Sequence, residues 1–375
     1  MTLQLPDFPW DSLLPARARA EAHVGGIVDL AIGSPIDPTP SVIREALAAA
    51  SDAPGYPATV GTPALRQAIV DWYARRHGVQ LGVANVMPTI GSKELIALMP
   101  TMLGLGATDT VVVPTLAYPT YEVGAAVVRA QTLATDDPDE WPESTRLVWL
   151  NSPGNPDGRV WGVEHLRRAV ERARDIGAVI ANDECYTELN WSSDEPTPSI
   201  LDPRVIGDSR RLTLSVSSLS KSSNLAGYRA GFAAGCSDLI AELVQARKHL
   251  GLNPPTPVQA AMVAALDDDV HVAEQRERYR VRRDRLRAAF EGAGFRVDES
   301  AAGLYLWMTG GEHTWTTIDQ LAELGILAAP GTFYGAAGGR HVRVAITTTD
   351  ERVDAAVSRL NGARLDGVRL GTLSK

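Results

Sequence analysis

Cysteine is nearly missing from this chain: Cys185 and Cys236 are the only two, they form no CxxC pair, and two thiols are too few for a disulfide framework or a zinc cage. No metal is expected, and a reducing cytoplasm is the expected setting. The opening lacks the apolar core of a signal peptide and any membrane span, because Asp7, Asp11, Arg17 and Arg19 interrupt it. A basic surplus is also missing. Against 45 acidic residues stand 36 basic ones, a formal charge of -9, which gives no general attraction to nucleic acid or to anionic membranes and leaves small-molecule chemistry. There is no internal repeat and no low-complexity linker. What is present is ordinary globular composition, 45% hydrophobic and 22% charged, with 33 glycines and 24 prolines spread along the chain. At 375 residues the expectation is one large core with a smaller second domain.

Short β-rich runs alternate with helical ones. Thr62 and Pro63 mark a helix start and Gly78 its stop, with Leu65, Ile69, Trp72 and Tyr73 on one apolar face. A helix follows Gly91. Strands TVVVP from Thr110, RLVWLN from Arg146, AVIAND from Ala178, RLTLSV from Arg211 and AGFAAG from Ala230 follow, with a helix from Val163 to Ile176 between. Apolar strands separated by helices argue for a mostly parallel sheet covered on both faces. From about Asp267 a long charged helix begins, with Val272, Tyr279 and Leu286 at seven-residue spacing and Phe290 four later. Its arginines suit a solvated face better than a nucleic-acid grip. FRVDESAAGLYLWM and HVRVAITTT then supply strands of a smaller α+β domain.

The chemistry concentrates in a few stretches. In SLSKSSNLAGYRAG, Lys221 follows an apolar strand, where a charge is expensive unless used, and a lysine amine is the group that forms a Schiff base with a carbonyl. Ser218 and Arg229 supply a hydroxyl and a guanidinium fork for one phosphate. TIGSKE opens a helix at Gly91 and Ser92 with its amides facing an anion, although a serine-capped turn reads the same way. LGLGATD is an incomplete GxGxxG and reads as a turn. VIANDECY ends an apolar strand on Asp183, a buried carboxylate in need of a positive partner such as a protonated pyridine nitrogen, with Tyr186 three residues on. NSPGNPDG puts Asn151 and Asn155 in a turn at a strand's carboxyl end, the ligand side of an open α/β sheet.

The ordered set GSKE, AYPTY, NSPGNPDG, NDECY, SLSKSSNLAGYRAG and HVRVAI resembles the class I and II aminotransferases of the fold-type I pyridoxal-phosphate enzymes over nearly the whole chain. The resemblance implies an α/β fold with a mostly parallel seven-stranded sheet in a large domain, residues 41–262. It also implies an N-terminal arm at 1–40 that contributes to the small domain, and a C-terminal small α+β domain at 263–375. It further implies pyridoxal 5'-phosphate as cofactor, Lys221 as the Schiff-base lysine, Asp183 on the pyridine nitrogen, Asn155 and Tyr186 on the ring hydroxyl, and Tyr118 stacked on the ring. Gly91, Ser92, Lys93, Ser218 and Arg229 match phosphate-binding positions, the first three acting partly through backbone amides. Tyr56 matches a tyrosine that reaches the neighbouring subunit's phosphate, hence an expected homodimer; Arg343 matches the clamp on the substrate α-carboxylate, and Gly33 lies against the same group. Asp157 replaces the threonine usual in NPTG, a turn position.

A closer resemblance, carried by LPDFPWDSL, PTIGSKE, NDECYTELNW and SLSKSSNLAGYRAGF, is to the N-succinyldiaminopimelate aminotransferases of actinobacterial type, which use glutamate as amino donor in lysine and cell-wall precursor synthesis. The implied partners are small molecules, glutamate or 2-oxoglutarate and an amino or oxo dicarboxylate. Another aminotransferase of the class, acting on aspartate, alanine or aromatic amino acids, is the nearest alternative. A pyridoxal-phosphate C–S lyase shares most of these positions, and a cofactor-binding regulator would need a DNA-binding extension that the chain lacks. The aromatics Phe8 and Trp10 read as packing.

Overall fold

The computed structural model describes residues 5–194 and 196–365. The chain first contributes a short strand, β1 (Val28–Asp29), and then the strands of one large sheet. These are β2 (Val86–Ile90), β3 (Thr110–Val113), β4 (Gln131–Ala134), β5 (Thr145–Asn151), β6 (Val179–Asp183), β7 (Thr213–Ser218) and β8 (Ala230–Gly235). Their spatial order is β2-β8-β7-β6-β5-β3-β4, and β8 runs antiparallel to both of its neighbours while the pairings from β7 to β4 are all parallel. The mostly parallel seven-stranded sheet is therefore present as expected.

Alternation along the strands explains why both faces are covered. In β5, Val148 and Leu150 join the core beneath helices Pro63–His77, Val163–Asp175 and Thr256–Asp267, whereas Leu147 and Trp149 join the core beneath helices Gly91–Met102, Thr120–Val127 and Ser237–Leu250. Helix Pro63–His77 keeps the expected ends: the Thr62 hydroxyl accepts from the Leu65 amide at 3.2 Å, and Gly78 takes the left-handed φ of 66° that closes it.

Beyond the large sheet lie β9 (Arg296–Asp298), β10 (Tyr305–Thr309), β11 (Ile326–Leu327), β12 (Ala329–Pro330) and β13 (Val342–Ala345). Four of them form an antiparallel sheet in the order β12-β13-β10-β9, and β11 pairs in parallel with β1. A third core joins Leu13, Ala16, Ala20, Val28 and Leu30 to Tyr279, Leu286, Phe290 and the small-sheet strands. That packing supports our proposed division into an arm at 1–40, a large domain at 41–262 and a small domain at 263–375. Helix Asp269–Gly292 starts on Asp268, whose carboxylate accepts from the Val270 amide at 2.8 Å. Two of its arginines are buried, not solvated: Arg282 bridges Asp37 and Asp350, and Arg283 donates to the Ser300 carbonyl. Among the described residues no helix is long and apolar enough to cross a membrane.

Candidate active site

The parallel strands deliver their polar residues to one edge. Asn151 ends β5, Asp183 ends β6 and Ser218 ends β7, and in the ladder Asn151 stands opposite Asp183. Carboxyl ends of neighbouring parallel strands are where an open α/β sheet binds ligands. Above them lies a cavity of about 660 Å³. Of the expected site residues, Gly33, Ser92, Lys93, Tyr118, Asn155, Asp183, Tyr186, Ser218, Lys221, Arg229 and Arg343 line it. Gly91 lies directly behind, and Tyr56 stands apart, fully exposed at 102%. The turn Leu103–Asp109 takes no part; the Gly106 amide donates to Asp109 Oδ2 at 2.8 Å within it.

One end of the cavity is built for an anion. Helix Gly91–Met102 opens there, and Ser218 and Ser220 hydroxyls meet at 2.8 Å beside it. Gly91 has φ of 70°, and a Cβ on it would fall 2.5 Å from Arg229 Nη2, so only glycine admits the guanidinium at this point. Arg229 itself adopts a left-handed φ of 57° and donates to the Ala226 carbonyl at 2.8 Å. The helix start is fixed from behind by Glu94, which accepts from the Ile90 amide at 3.2 Å and from fully buried Arg247 at 2.7 Å.

The middle holds a carboxylate and an amine. Asp183 is buried with no cationic partner among the described residues; Tyr121 donates to its Oδ2 at 3.0 Å and the Cys185 amide to its Oδ1 at 3.2 Å. Burial pushes its acid pKa up, and these bonds pull the other way. The Lys221 amine donates to the Gly33 carbonyl, and burial holds it below the ordinary lysine range, with Arg343 and Arg229 adding to the effect.

The far end holds Arg343, on β13. It is 3% exposed and has no carboxylate partner among the described residues. Its guanidinium donates to Asn155 Oδ1 at 2.9 Å and to the Ala31 carbonyl at 2.6 Å, while its Nε is buried with no partner. Buried polar groups are nearly always paired and buried charges compensated, so this cation is arranged for an anion that arrives from the cavity.

A lone buried carboxylate, a low-pKa lysine, an anion cradle and an uncompensated arginine in one cavity agree with what the sequence as a whole displays: residues 26–360 match the profile of the family described as aminotransferase class I and II. The chain belongs to the class I and II aminotransferases. A 4-dedimethylamino-4-oxo-anhydrotetracycline transaminase of Streptomyces rimosus is 56% identical over 95% of this chain and 99% of that protein. A probable aminotransferase of Mycobacterium tuberculosis is 56% identical over 96% of this chain and 86% of its own length. Among solved structures, an N-succinyldiaminopimelate aminotransferase from Mycobacterium tuberculosis superimposes with a TM-score of 0.83 at 26% identity, over 95% of this chain and 99% of that one.

This aminotransferase uses pyridoxal phosphate, the cofactor of its family, and its residues fit that group. The cradle at Gly91 suits a phosphate, unpaired Asp183 suits a protonated pyridine nitrogen, and Lys221 suits a carbonyl carbon. Several residues at or behind the cavity escaped the sequence reading. Tyr121 bonds Asp183, Cys185 donates its thiol to Ser92 Oγ at 3.3 Å, and Tyr305 fills the space between Gly33, Tyr186 and Arg343. The arm is the main difference. Leu5, Phe8 and Trp10 line the cavity, and Trp10 also packs on Phe333 at 5.3 Å, so these aromatics form a wall of the site as well as packing.

Proposed function

We propose that the enzyme transfers the amino group of glutamate to N-succinyl-2-amino-6-oxopimelate, a reaction of lysine and diaminopimelate synthesis. The observation that carries this reading is the placement of cations at separate points of the cavity. Arg343 lies buried without a counter-ion, and Lys93 is exposed on the wall with no ion pair among the described residues. A substrate with carboxylates at both ends suits such a pair. The Mycobacterium tuberculosis structure named above supports the acceptor.

Bound in the cavity, pyridoxal phosphate supplies an electron sink for negative charge at the substrate α-carbon. In this reading the backbone amides at Gly91, Ser92 and Lys93, the Ser218 hydroxyl and Arg229 hold the phosphate, joined by Tyr56 of a second copy in a homodimer. Asp183 keeps a proton on the pyridine nitrogen. Asn155 and Tyr186 hold the ring hydroxyl, and Tyr118 covers the ring. Arg343, with Gly33 and Asn155 beside it, orients the α-carboxylate so that Lys221 Nζ takes the α-proton of the donor and, in the second half-reaction, delivers one to the α-carbon of the acceptor.

A second reading, an acceptor with a ring skeleton, is favoured by the apolar wall of Leu5, Phe8, Trp10 and Ile32 and by the name of the Streptomyces rimosus relative. Steady-state rates with glutamate across a panel of oxo acids decide. The succinylated acceptor is expected to exceed oxaloacetate, pyruvate and phenylpyruvate in kcat/KM by roughly 10²-fold, the discrimination that a difference in substrate length and shape provides. Preference for one of those simpler acids overturns the substrate and leaves the aminotransferase standing. Ammonia and pyruvate released without an acceptor would indicate the lyase.

A further inference from the structure

Tyr305 opens β10 and faces Ala345 across the β10–β13 ladder, two residues along from Arg343. The Arg343 guanidinium carbon lies 3.9 Å from the centre of the Tyr305 ring and 4.9 Å from that of Tyr334. Asn155 and Ala31 take two of its N–H groups within the plane of the fork, and the Tyr305 ring lies against the guanidinium as a further support. The ring is admitted by a missing side chain. A Cβ on Gly33 would lie 2.4 Å from the Tyr305 hydroxyl, 2.6 Å from Cε1 and 2.7 Å from Cζ. The same Tyr305 hydroxyl meets that of Tyr186 at 3.3 Å, the two rings edge to face at 5.9 Å and 73°. Tyr334 makes no such link, since its hydroxyl is buried without a partner.

We propose that Tyr305 is a positioning residue with two separable parts: its ring fixes the Arg343 guanidinium for the substrate carboxylate, and its hydroxyl orients the Tyr186 phenol toward the cofactor. The inference rests on the proposed roles of Arg343 and Tyr186. Burial pushes the Tyr305 phenol up, but Arg343 and Lys221 pull it further down, to below the ordinary tyrosine range, whereas burial leaves Tyr186 well above it. Either phenol can donate in this pair, and where Tyr305 donates the Tyr186 hydrogen is left free for the cofactor side.

Two readouts on the holoenzyme separate the parts: the Kd of glutarate, the unreactive skeleton of glutamate, and the pH midpoint of the cofactor's absorbance band. Tyr305→Phe keeps the ring and is expected to hold glutarate within about twofold of the parent while moving the midpoint by about 0.5 unit, the scale of one hydrogen bond. Tyr305→Met fills the space without an aromatic face and is expected to weaken glutarate about tenfold, the scale of a desolvated cation–π contact. Tyr305→Leu repeats that arm should the thioether disturb β10. Parental glutarate affinity in the Met and Leu variants overturns the ring's role, and a parental midpoint in Tyr305→Phe overturns the hydroxyl's. Arg343→Ala distinguishes the underlying reading: if it too binds glutarate like the parent, the carboxylate clamp itself is wrong.

Discussion

Asp183 ends a strand whose five residues are all buried, and its two oxygens take one donor each, Tyr121 and the Cys185 amide. That leaves an acceptor in a dry setting with room for one more positively charged donor. Replacing it, Asp183→Ala, is expected to lower turnover by on the order of 10²-fold or more, the scale of losing one preorganised electrostatic partner, while the phosphate end still retains cofactor. A rate within a few-fold of the parent would reduce Asp183 to a structural role. Residues of this kind were legible in the sequence because a charge at the end of an apolar strand calls for a purpose. Tyr305 was not, since a tyrosine in GLYLWM reads as one more buried strand residue. Phe8 and Trp10 were equally opaque, because nothing local says which surface an arm covers.

The elements hold a second carboxylate beside the first. Glu184 accepts from the Asn182 side chain at 3.0 Å, the Ser199 hydroxyl at 2.9 Å, the Ile200 amide at 2.6 Å and the Ser215 hydroxyl at 2.7 Å, tying the end of β6 to β7 and to the segment at 199–200. No cation offsets its charge in that set, and burial pushes its pKa from 4.5 up to about 6. Between those values the unfolded chain has released the proton and the folded one retains it, so stability falls as pH rises through this window and the penalty persists above it. Glu184→Gln removes the titration. The stability difference between parent and variant is expected to change by on the order of 2 kcal/mol between about pH 4 and pH 7, measured by denaturant unfolding, and a flat difference contradicts the assignment. At this scale the sequence was informative where signals are local, as at Thr62 and Gly78. It was less so in helix Asp269–Gly292. Of the expected stripe, Tyr279, Leu286 and Phe290 are buried while Val272, in the first turn of the helix, is only partly so. The burial of Arg282 depends on Asp37, 245 residues away, which no local pattern reveals.

For the whole molecule, Tyr56 offers a full aromatic side chain to solvent, and the segment behind it is firmly held. The Thr59 hydroxyl donates to Asn253 Oδ1 at 2.6 Å, and the Thr62 amide donates to Gln259 Oε1 at 2.8 Å. A rigid support under an exposed tyrosine suits a residue presented to another copy of the chain. Dilution to monomer is expected to speed cofactor loss, and Tyr56→Ala to produce the same loss at concentrations where the parent stays dimeric; sedimentation with parallel absorbance follows both. A monomer that keeps its cofactor and full activity contradicts the proposal. Parallel order in the large sheet was legible from alternating strands and helices. The pairing of β1 with β11 was not, because each is only two residues long.

That short pairing sets a timetable for the ribosome. Val28 finds its partner only at Ile326, so the two lie 298 positions apart (326 − 28), and Ala31, whose carbonyl receives Arg343, waits longer still. At roughly 5–20 residues per second, the apolar stretch around Val28 and Leu30 emerges tens of seconds before its β-partner, while the large sheet can complete itself in the meantime. On the proposed roles, Lys221 and the cradle at Gly91 are thus synthesised before Arg343, the proposed clamp for the substrate carboxylate. In order of synthesis, the groups proposed for the prosthetic group precede the one proposed for the amino acid.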